Sequence, residues 1–256
     1  MRLCLALGFT FITLFAANAK AVVLDWSAVT WAAGSLSNSF DVDPASPGND
    51  ITVTFTGQTG RFTTDPTTGI QTPAIDSTME GGTSPVQQSL DMSMGLTTNK
   101  SITVTISFPA AYLQGVTGVS LTIFGINQGT TNDTLTSITG LSIDGVTLVA
   151  PTIINVGPVV QLSGSGLSQT LTGIGDSPHG GPGSGDGNAT ITFDSAIRSL
   201  TFSFQYGDTG FGNSQIAISN ITFLPVPEFK AGWIPGAICL LASAQALYRR
   251  RERARS

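Results

Sequence analysis

Cysteine is nearly missing from this chain. Its 256 residues include two, Cys4 and Cys239, one close to each end. The long middle segment therefore has no disulfide and must hold itself together by burial. Positive charge is scarce there too. From Val22 to Leu224 the cations are Arg61, Lys100 and Arg198, against fourteen acids, a formal charge of −11; the whole chain carries −5. Such a segment repels phosphate backbones, which excludes nucleic acid as a partner. It suits solubility, or divalent cations outside a cell. Histidine occurs once, at His179, and the sequence holds no HExxH, Gly-x-Ser-x-Gly, P-loop or zinc-ligand spacing. The commonest hydrolytic and nucleotide-using chemistries lose their signatures with them. No amphipathic helix is recognisable between Val22 and Leu224, which argues against an α/β fold.

What is present is alternation. Ile51-Thr52-Val53-Thr54-Phe55-Thr56 and Ile102-Thr103-Val104-Thr105-Ile106-Ser107-Phe108 alternate apolar residues with hydroxyls without a break. Leu121 and Ile123, Ile191 and Phe193, Leu200, Phe202 and Phe204, and Ile216 and Ile218 keep the same period. A period of two with one apolar side predicts antiparallel strands that bury one face and wet the other. Asp144-Gly145, between two such runs, predicts a two-residue hairpin. The fold class that follows is all-β: an antiparallel β-sandwich of jelly-roll type. From Ile218 to Ile221 the apolar phase takes an odd step. Either a β-bulge at Ser219-Asn220 restores one buried face, or the strand is covered on both faces.

The ends read differently. Met1-Arg2, the apolar run Leu3 to Ala17, and the small residues at Ala17-Asn18-Ala19 and Ala19-Lys20-Ala21 predict a secretory signal over 1–21, cut by signal peptidase. The sandwich is expected over 22–224. The tail, 225–256, carries Val226-Pro227-Glu228, an apolar run from Ala231 to Tyr248, and then Arg249-Arg250-Arg251 with two further arginines. At ~1.5 Å per residue that run spans ~27 Å, slightly under a ~30 Å hydrocarbon core. Arginines after it act as a membrane stop, and basic groups at both ends place the middle on the far side of the inner membrane. The alternative is an amphipathic helix packed on the sandwich.

This tail resembles the PEP-CTERM sorting signal of exported bacterial proteins, with Phe229 at the position where the family usually carries Pro. The resemblance implies transient anchoring in the inner membrane, cleavage near Pro227-Glu228 by an exosortase-type protease, and delivery to the cell envelope, the surface or the outside. It covers the tail alone.

Candidate chemistry is sparse. The loop from Gly173 to Asn188 is rich in glycine and carries Asp176, Ser177, His179, Asp186 and Asn188. Asp176, Ser177 and His179 are too close in sequence to make one catalytic triad. Asp176, Asp186 and Asn188, with glycine-freed carbonyls, offer oxygen ligands for Ca²⁺; the plainer reading is a solvated loop. Trp26 and Trp31 are candidates for stacking on a sugar, or for the core. Two functions stay open: a non-catalytic surface or matrix protein that meets exopolysaccharide, and a secreted hydrolase or calcium-dependent carbohydrate-binding module.

Overall fold

The computed structural model describes residues 20–46, 48–95, 100–108, 112–129, 131–206 and 213–226. Most of the predicted secretory signal, and the sorting and stop residues Pro227, Glu228 and Arg249–Arg251, lie outside them. Of the sorting motif only Val226 is described; its N–H donates to Gly115 O at 3.2 Å. Among the described residues no helix is long and apolar enough to cross a membrane.

Among the described residues sixteen strands follow one another: β1 (Val22–Leu24), β2 (Ser37–Phe40), β3 (Ile51–Gly57), β4 (Ala74–Asp76), β5 (Ser89–Met94), β6 (Ser101–Ser107), β7 (Val116–Phe124), β8 (Asp133–Ser142), β9 (Leu148–Val149), β10 (Thr152–Ile154), β11 (Val160–Ser163), β12 (Thr170–Gly173), β13 (Ala189–Phe193), β14 (Ile197–Tyr206), β15 (Ser214–Ile218) and β16 (Ile221–Pro225). Their pairings are antiparallel and form two layers. One runs β2-β3-β6-β14-β8-β12-β11, with β9 on β8. The other is built on β7, flanked by β13 and β10 on one edge, and by β15-β5-β4 and β16-β1 end to end on the other. A single pair, Ile197 with Val116, joins the layers. This is the antiparallel sandwich that the alternation predicts.

The alternation works as expected in β3 and β6. Ile51, Val53 and Phe55, and Ile102, Val104 and Ile106, are buried, and the residues between them are half-buried or exposed. They share one hydrophobic cluster with Phe202 and Phe204 of β14, Leu121 and Ile123 of β7, and Phe223 of β16. On the opposite side hydroxyls pair across the strands, Thr103 with Ser203 at 2.9 Å and Ser37 with Thr54 at 2.9 Å. Thr therefore supplies β-branching to the backbone and hydrogen bonding to the wet face. The Asp144-Gly145 hairpin forms, in the register of a two-residue loop, with Gly140 opposite Val149 and Leu141 opposite Leu148. Asp144 accepts from Val146 N and Thr147 N, and Gly145 takes a φ of 72° that favours glycine.

The odd step near Ser219 has a definite form. Ile218 opposes Ile123, whereas Thr222 opposes Ser120, so four positions face three on β7. The extra residue separates β15 from β16, keeps Ile221 and Phe223 buried, and turns Ser219 and Asn220 into a junction. Ser219 Oγ accepts from Thr122 N, while Ser219 O and Asn220 Oδ1 accept from Trp26 Nε1 and Trp26 N. The other reading also applies one strand earlier: every residue of β15 and of β5 is buried, so these two strands are covered on both faces.

Trp26 and Trp31 correct the sugar-stacking expectation. Trp26 is fully buried and Trp31 is 8% exposed. Trp26 meets Phe40 edge-on at 5.9 Å, and Trp31 meets Phe55 edge-on at 5.8 Å. An aromatic close to a short edge strand closes the end of a sandwich core, and burial of its large apolar area outweighs display to a ligand.

Candidate functional site

Two glycine-rich loops, 80–83 and 179–188, are knitted together over the outer side of the β7 layer. Glu80 N–H donates to His179 O at 2.9 Å, and Gly181 N–H donates to Glu80 Oε2 at 2.7 Å. Gly82 N–H donates to Ser184 Oγ at 3.0 Å, and Asn188 Nδ2 to Gly81 O at 2.8 Å. Gly81 has a φ of 55°, and a Cβ there would stand 2.4 Å from the Phe124 ring, so no other residue fits.

Beside these loops lies a cleft of about 410 Å³. Thr122 of β7 and Thr190 of β13, hydroxyl to hydroxyl at 2.9 Å, line it together with the Ser219–Asn220 junction. Thr83, Gln87, Asn155 and Asn188 complete its polar lining, and among the described residues no charged one is part of it. Gln87 and Asn155 are exposed, and among the described residues neither side-chain amide has a hydrogen-bond partner. No aromatic ring lines this cleft except Phe124, which is buried. Recognition in this cleft would thus work through amides and hydroxyls, not through stacking.

The three residues expected to offer oxygens to calcium, Asp176, Asp186 and Asn188, stand in different surroundings. Asp176 lines a second, smaller cavity, Asn188 lines the cleft, and Asp186 lines neither. The loop coils through successive turns that engage its carbonyls: Gly181 O accepts from Ser184 N, Gly183 O from Asp186 N, and Gly185 O from Asn188 N. Ser177 is committed as well, its Oγ donating to Gly183 O and accepting from Gly187 N. His179 is half-buried in the smaller cavity, and desolvation lowers its pKa against the pull of Asp65 and Asp176.

The fold instead gathers Asp65, Asp76 and Asp91, whose ligand oxygens lie within 4.8 Å of one another. Asp65 is seated by a turn in which its Oδ1 accepts from Thr67 N and Thr68 N, both at 2.6 Å. Asp76 is seated by Thr78 N at 2.9 Å, and Asp91 stands in mid-β5 opposite Ala217. Gln215 Nε2 on β15 donates to Asp65 Oδ2 at 2.5 Å and to Asp91 Oδ1 at 3.0 Å. Burial, and then the charges of Asp76 and Asp65, push the Asp91 carboxyl up to about 8. Burial also raises Asp76, whereas hydrogen bonds from the Thr67 and Thr68 backbone and from Thr78 and Gln215 outweigh desolvation at Asp65 and leave it lowered. Sequence reading missed this set. Its signal is Ser89, Asp91 and Ser93 at alternate positions of a strand whose other residues are Leu90, Met92 and Met94.

No family model matches the sequence, and no curated protein matches it. Several solved structures do. One is a family 11 carbohydrate-binding module from Clostridium thermocellum, in complex with a β-1,3-1,4-mixed-linked tetrasaccharide, at 15% identity over 83% of this chain and 100% of the other, TM-score 0.32. A mannan-recognising carbohydrate-binding module matches at 13% identity over 55% of this chain and 75% of the other, TM-score 0.31. The K1 cleaved adhesin domain of Lys-gingipain from Porphyromonas gingivalis matches at 9% identity over 81% and 99%, TM-score 0.34.

Proposed function

We propose that this is an exported, non-catalytic envelope or matrix protein whose sandwich binds neutral polysaccharide, and whose tail is read by an exosortase-type protease. The cleft carries the binding reading. Its lining of carboxamides and hydroxyls, free of charge, matches the alternating donors and acceptors of a sugar, and an uncharged lining does not select an ionic ligand. The strongly acidic body adds a preference for neutral over anionic glycans. The export part rests on the sequence of the two ends.

The test is a glycan array with the full chain, followed by titration of the best ligand. The double variant Gln87→Ala, Asn155→Gly removes two carboxamides while glycine keeps the positive φ of Asn155, 50°. Loss of two such hydrogen bonds weakens binding about tenfold. An array without ligands, or a double variant that binds as tightly as the parent, refutes the cleft; release of reducing sugar by the parent chain refutes the non-catalytic reading.

A further inference from the structure

The cluster of Asp65, Asp76 and Asp91 lies apart from the cleft and plays no part in the binding just described. Three buried carboxyls in one place need a compensating charge. The hydrogen-bond donors that reach them are too few. Asp76 Oδ2 and Asp91 Oδ2 have no partner among the described residues. The hydroxyl of Thr78 faces both Asp65 Oδ2 and Asp76 Oδ1, at 3.1 and 2.7 Å, yet it holds one proton. Among the described residues no Lys or Arg contributes to the electrostatics of any of the three.

A second observation is independent of the acids. Gln215 is 5% exposed, its carboxamide nitrogen touches Asp65 and Asp91, and its Oε1 has no partner. An amide oxygen that forgoes a donor inside the protein costs ~1–3 kcal/mol of desolvation unless something else meets it. Here it belongs to the same head group that contacts the carboxylates. Oxygens around one ion at ~2.4 Å lie at most ~4.8 Å apart, the spread that these carboxylates keep.

We infer that Asp65, Asp76, Asp91 and Gln215 form a binding site for a divalent cation, with an all-oxygen donor set that fits Ca²⁺. The three carboxylates, and the amide oxygen once the Gln215 head group turns over to put Oε1 where Nε2 now meets Asp65 and Asp91, supply hard ligands on three separate stretches, the 63–68 turn, the 76–78 turn and the β5–β15 pair. An ion there ties the turns to the strands. Mg²⁺ fits less well, because it demands a near-ideal octahedron and sheds water reluctantly. Zn²⁺ lacks the nitrogen and sulfur ligands that it prefers. The smaller cavity of about 210 Å³ lies beside the site, with Gln215 and Ser93 in its lining.

The experiment uses the full chain, stripped of metal on a chelating resin, with CaCl₂ as the probe. Calorimetric titration should find one calcium per chain. Thermal unfolding should rise by roughly 5–10 °C at free calcium ~100-fold above Kd, and less with MgCl₂. Asp91→Asn should lose the calcium-dependent rise while unfolding no lower than the parent in chelator at pH 7, because the amide is neutral, as the Asp91 carboxyl raised to about 8 already largely is without a cation. Asp76→Asn should do the same and serves if Asp91→Asn does not fold. Absence of calcium binding in the parent overturns the assignment. So does retention of the calcium-dependent rise in both variants, or a stability that responds to pH alone, the behaviour of carboxyls that merely share a proton.

Discussion

Single residues in this protein show how little polarity alone says about position. Asp133 is 2% exposed at the start of β8, bonded to Ser214 Oγ and to Asn127 N. Desolvation raises its carboxyl to about 7, against those two hydrogen bonds. The unfolded chain binds the same proton only below ~3.9. Between these values the folded form holds a proton that the unfolded form has lost, so stability is full below ~pH 4 and falls as pH rises to about 7. Urea unfolding in chelator between pH 4.5 and 8 should show this fall. Asp133→Asn should flatten it, by up to ~1.4 kcal/mol per pH unit. Asp176 and His179 line the same cavity and remain in the variant, so the difference isolates Asp133. A variant with the parent's slope refutes this. Trp26 and Trp31 make the complementary point. An indole near a strand looks the same in sequence whether it stacks on a sugar or seals a core, because both uses need a large apolar ring.

At the level of the element, strands differ in how openly they declare themselves. β3, β6 and β14 are legible because one side meets the core and the other meets water, and their letters alternate accordingly. β5 and β15 are covered on both sides, and the second cover consists of the 63–72 and 76–83 loops. Polar letters at Asp91, Ser93 and Gln215 read as solvent-facing, yet all three are buried. The junction at Ser219–Asn220 was legible, since an odd step in an even pattern admits few geometries. Deleting Asn220 removes the extra residue and turns Ile221 and Phe223 away from the core. At ~1.5–3 kcal/mol for each side chain, the loss should be about 3–6 kcal/mol in chemical denaturation. As a control, two glycines inserted beside Val146, which is 82% exposed in its hairpin loop, should cost under ~1 kcal/mol. Equal losses for the two changes would refute the junction's role in register.

For the whole molecule, the described elements belong to one compact unit that ends at Val226. The proposed sorting role of the tail makes a cellular prediction. Glu228→Ala, or removal of Arg249–Arg251, should leave the protein in the inner-membrane fraction, whereas the parent should yield a mature form whose intact mass places its C-terminus near Pro227–Glu228. Unchanged fractionation of both variants would refute the sorting reading. The chain by itself determined the fold class, the hairpin at Asp144-Gly145 and the register step, because each depends on residues that are neighbours in sequence, where period and turn chemistry act. Only the tertiary structure decided the carboxylate cluster, the amide-lined cleft and the burial of both tryptophans. Gln215 joins Asp65, Trp26 joins Ser219, and the cleft joins Gly81 to Asn220, all more than a hundred positions apart, and no local pattern encodes which strands a sandwich lays side by side.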